Sequence, residues 1–225
     1  MNAKPKALRV ALASLSKTSK LGCYSWSLQA VETCPGSRAP DGGLVPACSG
    51  CYAAGGFYAM PGAKALRARN RDDWEAPDWV ERMRGALTDE SYFRWFDSGD
   101  MYTLGLARKM LEVMKTTPHV RHWLPTRMAK FPKFRAIIDE MNALPNVKVR
   151  FSSDSVLGEF GPEHGSVIVP APEKAPAGAV VCGAYSRGGK CGDCRACWDK
   201  SVPVIAYPAH GSTMTRKVIP LQLAK

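Results

Sequence analysis

The sequence predicts an α/β fold: parallel strands joined by helical crossovers, with a cysteine-rich, metal-binding loop towards the C-terminal end. Three observations lead there. Short apolar or aromatic runs alternate with longer stretches whose apolar residues recur at helical spacing. Most of the short runs are followed by a polar loop with its own chemistry. Finally, seven of the eight cysteines fall into two clusters, Cys34, Cys48, Cys51 and Cys182, Cys191, Cys194, Cys197.

In chain order, residues 24–30 (YSWSLQA) alternate large and small side chains and are expected as the first strand, with the first cysteine loop behind it. Residues 64–87 read as one or two helices broken near Pro77, since proline removes a backbone donor and clashes with the preceding turn. Residues 92–97 (YFRWFD) are an aromatic strand running into Ser98, Gly99 and Asp100. A helix is expected over 104–115, then a short strand over 120–124 followed by Thr126 and Arg127. The next helix, 133–144, carries Phe134, Ile137, Ile138 and Met141 on one face. Strands are expected at 147–151, before Ser152, Ser153, Asp154 and Ser155, and at 166–169, 179–182 and 204–207, with His210 beyond the last. The one loose linker, 170–178 (PAPEKAPAG), is too short to mark a boundary, so residues 1–225 are expected as a single α/β domain, with a cysteine-rich extension at about 180–225. In a barrel or an open α/β sheet the loops behind the strands share one face, and there the polar loops are expected to converge.

The composition, 45% hydrophobic and 23% charged over 225 residues, is that of an ordinary globular chain able to bury a sizeable core. A net charge of +11 favours a polyanionic partner such as nucleic acid. The basic residues are spread along the chain, with short runs at Arg67, Arg69, Arg71 and at Lys130, Lys133, Arg135. No stretch approaches the length of a membrane span, and Arg9 interrupts the apolar run near the start, so neither a span nor a secretory signal is expected. The cytoplasm is the expected compartment, and in its reducing environment clustered C-x-x-C steps read as metal ligands rather than as a disulfide framework.

Cys48-Ser-Gly-Cys51 is a C-x-x-C step whose glycine lets the chain turn around a metal. Cys34 stands before it with thirteen residues between, beside Pro35 and Gly36. Three thiolates leave one coordination position open, where metal chemistry takes place. Cys191-x2-Cys194-x2-Cys197 has the spacing of bacterial ferredoxins, and Cys182 is the fourth candidate ligand of a closed site. Zinc is the alternative at both places: a site completed by Cys23 or a distant histidine early in the chain, a structural knot late in it. Cys23 lies before or inside the first expected strand and is left out of the trio.

A cysteine loop straight after the first strand, ending Cys-x-x-Cys-Tyr-Ala, resembles the cluster loop of radical S-adenosylmethionine (SAM) enzymes and of a group of bacteriophage proteins related to them. At the level of element order the resemblance covers about the first two-thirds of the chain. It implies a partial (β/α) barrel and a [4Fe–4S] cluster on Cys34, Cys48 and Cys51, whose open iron takes the amino and carboxylate groups of SAM. It further implies Tyr52 near the adenine, Ser98, Gly99 and Asp100 around the SAM ammonium, and Ser153 and Ser155 near the ribose. An auxiliary cluster would sit on the late four cysteines. Asp97 and Asp100 become the catalytic candidates, an electron donor becomes a partner, and a nucleotide or nucleic acid becomes the substrate, in the host cytoplasm if the protein is phage-encoded. The family spaces its ligands Cys-x3-Cys-x2-Cys, so the long first gap here is a departure.

A second resemblance is to guanine transglycosylases, which exchange bases in tRNA or DNA and carry an Asp-Ser-Gly segment after an early strand, as Asp97-Ser98-Gly99 does. It implies zinc on Cys191, Cys194, Cys197 and His210, with Asp97 or Asp154 as acid, base or nucleophile. A third reading is a non-enzymatic, metal-stapled nucleic-acid-binding protein. Among the remaining residues, His119 and His122 flank a strand and point to opposite faces, so they are expected in packing or at the surface, with one of them a candidate to reach the site. Arg127 is a candidate carboxylate or phosphate ligand. Asp100 has a helix cap as its bland role, and Trp79, Trp95 and Trp198 are expected in the core.

Overall fold

The structure, a computed structural model, describes residues 5–220. The first four residues of the N-terminal stretch considered above lie outside the described residues.

Helix α1 (Lys6–Leu12) leads into β1 (Ser16–Lys17), which pairs antiparallel with β2 (Tyr24–Trp26). Neither α1 nor β1 was expected, because both are short and α1 buries none of its residues fully. The long loop behind β2 holds a short α-helix, α2 (Pro46–Ser49), among single turns of 3-10 helix. Then come α3 (Pro61–Asp73), α4 (Trp79–Leu87), β3 (Tyr92–Trp95), α5 (Leu104–Thr116), β4 (Arg121–Thr126), α6 (Pro132–Ala143), β5 (Val147–Ser152), β6 (His164–Val169), β7 (Val180–Val181) and β8 (Ile205–Pro208). The break expected near Pro77 is the α3–α4 junction. Strand β2 is shorter than expected because beyond Trp26 the backbone turns to the loop behind β3: the Leu28 amide donates to the Ser98 carbonyl.

The strands form one open sheet in the order β1-β2-β3-β4-β5-β6-β8-β7. Every pairing except β1–β2 is parallel. The α/β class and the parallel strands expected from the sequence are therefore present, in a sheet whose edges, β1 and β7, do not pair with each other.

Side chains alternate across a strand, so the two faces have different fates. On one face, Trp26, Phe93, Trp95, Leu124, Val147 and Val149 join the main core with the helices. The helices supply apolar residues at helical spacing: Leu106, Met110 and Val113 from α5, and Phe134, Ile138 and Met141 from α6. Thr103, not Asp100, caps α5 by accepting from the Leu106 amide. Proline at the first turn starts α6, where its missing N–H has no helical partner to lose. Trp79, Trp95 and Trp198 are buried as expected.

The other face is covered by the late cysteine segment. Trp198 packs edge-on against Tyr92 and Trp123, at 5.5 and 5.2 Å between ring centres, and its indole N–H donates to the Phe93 carbonyl at 2.9 Å. Cys23, Cys191 and Cys197 lie in the same cluster. Arg150, fully buried on β5, anchors this segment. Its Nε donates to the Cys197 carbonyl at 2.9 Å, and its two Nη atoms reach the carbonyls of Ala196, Asp199, Gly165, Val202 and Pro203.

Candidate functional site

The loops behind the parallel strands do meet on one face. The loop behind β2 is laced to the loop behind β3 through main chain and hydroxyls: the Asp97 amide donates to Ser27 Oγ, the Asp100 amide to the Thr33 carbonyl, and Ser98 Oγ to the Leu28 carbonyl. Gly99 makes this approach feasible. It has φ +81°, and a Cβ there would stand 2.6 Å from Leu28 Cβ. Behind β4, Lys130 Nζ donates to the Gly36 carbonyl at 2.8 Å, and Gly36 lies so close to Arg127 that a Cβ would meet its carbonyl oxygen at 2.7 Å. Behind β5, the Asp154 carbonyl accepts from the Ala47 amide at 2.9 Å.

The thirteen residues between Cys34 and Cys48 are folded on themselves. Arg38 bridges antiparallel to Leu44, the Ala39 amide donates to the Gly43 carbonyl, and the Val45 amide donates to the Ser37 carbonyl, both at 2.9 Å. Residues 37–45 are thus a closed hairpin whose neck is the Ser37–Val45 bond. Only Pro35, Gly36, Pro46 and Ala47 separate the neck from the two cysteines, so the hairpin returns Cys48 to Cys34. The short helix α2 then presents Cys48, with Cys51 just beyond it.

The three thiols sit within electrostatic reach of one another. Burial pushes the Cys34 thiol up to about 12, and the neighbouring Asp100, Cys48 and Cys51 add to it. Burial also raises Cys48, while Arg127 and Lys130 work the other way. The late cysteines converge likewise: burial raises Cys191, with Cys182 and Cys194 adding to it, and burial raises Cys197 to about 11, with Cys182 beside it. Cys197 Sγ lies 3.3 Å from Tyr207 Oη. All eight cysteines are free thiols. Among the described residues, no three Cys, His, Asp or Glu side chains stand in an arrangement that holds a metal ion as placed. What fits is the donor chemistry: two groups of soft thiols, with cations near each. Cys23 is buried with Leu21, Trp123 and Trp198, apart from the trio.

Asp97 and Asp100 occupy different settings. Asp100 is buried. Its Oδ1 accepts from the Met101 amide and Thr126 Oγ1, and its Oδ2 from the Arg127 amide, each at 2.8 Å. Burial raises its pKa to about 6, against the pull of those three donors. Asp97 is paired with Arg94 at 2.7 Å and accepts from the Tyr58 hydroxyl, while its carbonyl accepts from Tyr52 Oη at 3.0 Å. Ser98 Oγ accepts from Arg67 Nε at 2.6 Å. Ser153 Oγ donates to the Glu159 carbonyl and Ser155 Oγ to the Glu159 carboxylate. Arg127 is engaged with Asp154 and with the carbonyls of Ser152 and Ser153. His210 lies between Tyr185 and Tyr52, and burial lowers its pKa.

Arg67, Arg94, Tyr58 and Arg150 were not expected at the site. Arg94 was legible: in YFRW it alternates with Phe93 and Trp95 and so points to the opposite face, over the Trp123 ring at 4.6 Å. Arg67 was read only as part of a basic run, yet it is buried.

No curated protein and no solved structure matches the chain. The gene product 88 family matches it over residues 2–200. The chain belongs to the gene product 88 family, which bears out the phage-like kinship expected from its Cys-Tyr-Ala loop.

Proposed function

We propose that this protein is an iron–sulfur enzyme of the radical SAM type, acting on a nucleotide or nucleic acid in the host cytoplasm, with its sheet curved as a partial barrel. The observation that carries the reading is the placement of Cys34, Cys48 and Cys51 on one loop, folded back on itself between Cys34 and Cys48 and laced to the Asp100 segment. That loop stands behind the first of seven strands in parallel succession, β2-β3-β4-β5-β6-β8-β7. The hairpin 37–45 supports it further, because it absorbs the long first gap. In this reading Cys34, Cys48 and Cys51 hold a [4Fe–4S] cluster with one position open to SAM, and Cys182, Cys191, Cys194 and Cys197 hold a second. When bound, such a cluster supplies the electron, taken from an external donor, for reductive cleavage of SAM.

The chain's own residues do the positioning. An ionised carboxylate offers about four acceptor sites, and Asp100 uses three, which leaves one on Oδ2 for the SAM ammonium. Gly99, by lacking a side chain, lets the Asp100 segment pack against Leu28 and Thr33, and Ser98 holds that segment to the cysteine loop. Tyr52, directly after Cys51, offers an exposed ring to the adenine. Ser153 and Ser155 turn to the ribose by exchanging their bonds to Glu159. Arg127 and Lys130 offset thiolate charge, and Asp97, with Arg94, fixes Tyr52 and Tyr58.

The test is anaerobic purification and reconstitution with iron, sulfide and zinc analysis, followed by assay of SAM cleavage under a low-potential reductant. About eight irons per chain with cleavage of SAM is the expected result. Zinc without iron overturns the reading, and iron without SAM binding or cleavage overturns its SAM half.

A further inference from the structure

An exposed row of rings runs between the two cysteine clusters. Phe57 meets Tyr58 edge-on at 6.4 Å, Tyr58 meets Tyr52 at 5.4 Å, Tyr52 lies 6.3 Å from His210, and His210 lies 4.0 Å from Tyr185. Lys20 Nζ ends the row, 4.9 Å above the Tyr185 ring. The rings come from three separate stretches of chain, 52–58, 185 and 210, so the row is a product of the fold and not of a local aromatic run.

Its exposure is unusual for rings. Phe57 is 72% exposed, Tyr185 50% and Tyr52 47%. Contiguous apolar surface of this kind on a charged protein marks a contact site. Aromatic faces open to solvent also suit one chemistry well, the stacking of unpaired bases, which every base supports with its π-face.

The charge beside the row points the same way. Lys20 also lines an opening of about 450 Å³ with Lys190 and Arg195. Its two carboxylates are already neutralised: Asp89 pairs with Arg9, and Glu90 with Lys6. Lys20, Lys190 and Arg195 have no carboxylate partner among the described residues; Lys190 Nζ donates only to the Ser19 carbonyl, and Arg195 Nη1 to the carbonyls of Gly192 and Cys194. Three uncompensated cations around an opening are a phosphate environment, and the net charge of +11 extends it over the molecule.

We propose that this row and opening bind single-stranded nucleic acid, with unpaired bases on Phe57 and Tyr185 at its two ends and backbone phosphates on Lys20, Lys190 and Arg195. The proposal deepens the reading above by naming its substrate class, and it rests on the nucleic-acid half of that reading. Duplex nucleic acid is disfavoured, since bases paired and stacked in a helix present no free face to exposed rings.

Fluorescence anisotropy with the full-length protein tests this. The probes are a short labelled oligothymidine, the same sequence as RNA with uridine, a blunt duplex, and an abasic strand of equal phosphate count. Both base-bearing single strands are expected to bind at least about tenfold more tightly than the abasic strand and the duplex. Phe57→Ala and Tyr185→Ala are expected to weaken single-strand binding about tenfold each, with Tyr185→Phe close to wild type. Lys190→Ala is expected to reduce the salt dependence by about one released counterion. Phe57 is so exposed that its truncation leaves the fold intact, and thermal melting of each variant checks this. Equal affinity for the abasic strand, preference for the duplex, or no loss on truncating Phe57 and Tyr185 overturns the proposal. Protein that carries iron and cleaves SAM but fails these assays refutes this inference alone; iron-free protein that passes them refutes the enzyme reading and keeps this one.

Discussion

His122 sits fully buried on β4, stacked on Trp95 at 6.1 Å between ring centres, with Nε2 2.9 Å from Thr117 Oγ1. Burial pushes its pKa down to about 3, well below the ordinary histidine value of 6.5. The sign of the linkage follows. Below pH 6.5 the unfolded chain takes up a proton that the folded chain refuses until about pH 3. Stability is therefore present above 6.5 and is lost as pH falls through that window, by about 1.4 kcal/mol per pH unit. His122→Phe keeps a ring against Trp95 and removes the titrating group, while Thr117 keeps its bond to the Val113 carbonyl. Urea midpoints measured from pH 7 down to pH 4 are expected to fall less steeply in His122→Phe than in wild type; parallel slopes would refute the assignment. The sequence placed His119 and His122 in packing or at the surface on strand periodicity alone. What it did not carry was the depth of burial, because that depends on α4 and α5 closing over β3 and β4.

At the scale of the element, the hairpin 37–45 changes how the early cysteines are counted. Asp41-Gly42-Gly43 is turn chemistry: the Gly43 amide donates to Asp41 Oδ1 at 2.9 Å, and Gly42 has φ +84°. A turn signal between Cys34 and Cys48 was therefore legible in the residues, although the gap in the sequence showed only as a departure in spacing. Since the neck bond joins Ser37 to Val45, replacing residues 37–45 by a single glycine is expected to leave the loop closed. Reconstituted iron and sulfide per chain, and the visible absorption of the reconstituted protein, are expected to match wild type. Loss of about half the iron would show that the hairpin is needed to bring Cys34 and Cys48 together. The helices α5 and α6 were legible nearly to the residue, since their apolar positions repeat cleanly. Helix α1 and strand β1 were not, because elements of seven and two residues carry too little pattern.

The whole molecule is a parallel sheet with a helical core on one face and a cysteine segment on the other, and the two faces are held by different forces. The helical face is bound by extensive apolar burial, whereas the cysteine face depends on Trp198 and on the six carbonyls gathered by Arg150. Arg150→Met leaves those carbonyls without their donor, at a cost on the order of 3 kcal/mol. Hydrogen exchange is expected to rise first across residues 182–201, while β3, β4 and α5 stay protected. Uniform loss of protection would mean that the two faces open as one unit.

By itself the sequence determined the α/β class, the order of the longer helices and of the parallel strands, the grouping of cysteines into two clusters and the phage-like kinship, since periodicity, breakers and short motifs are local and survive in one dimension. Only the tertiary structure decided that Asp100 is a buried acceptor and not a helix cap, that Arg150 organises the late cysteines, and that Phe57, Tyr52, His210 and Tyr185 stand in one row. Each of these is a contact between residues distant in the chain, made by crossovers that bring strand ends together, and no local pattern encodes how such ends meet.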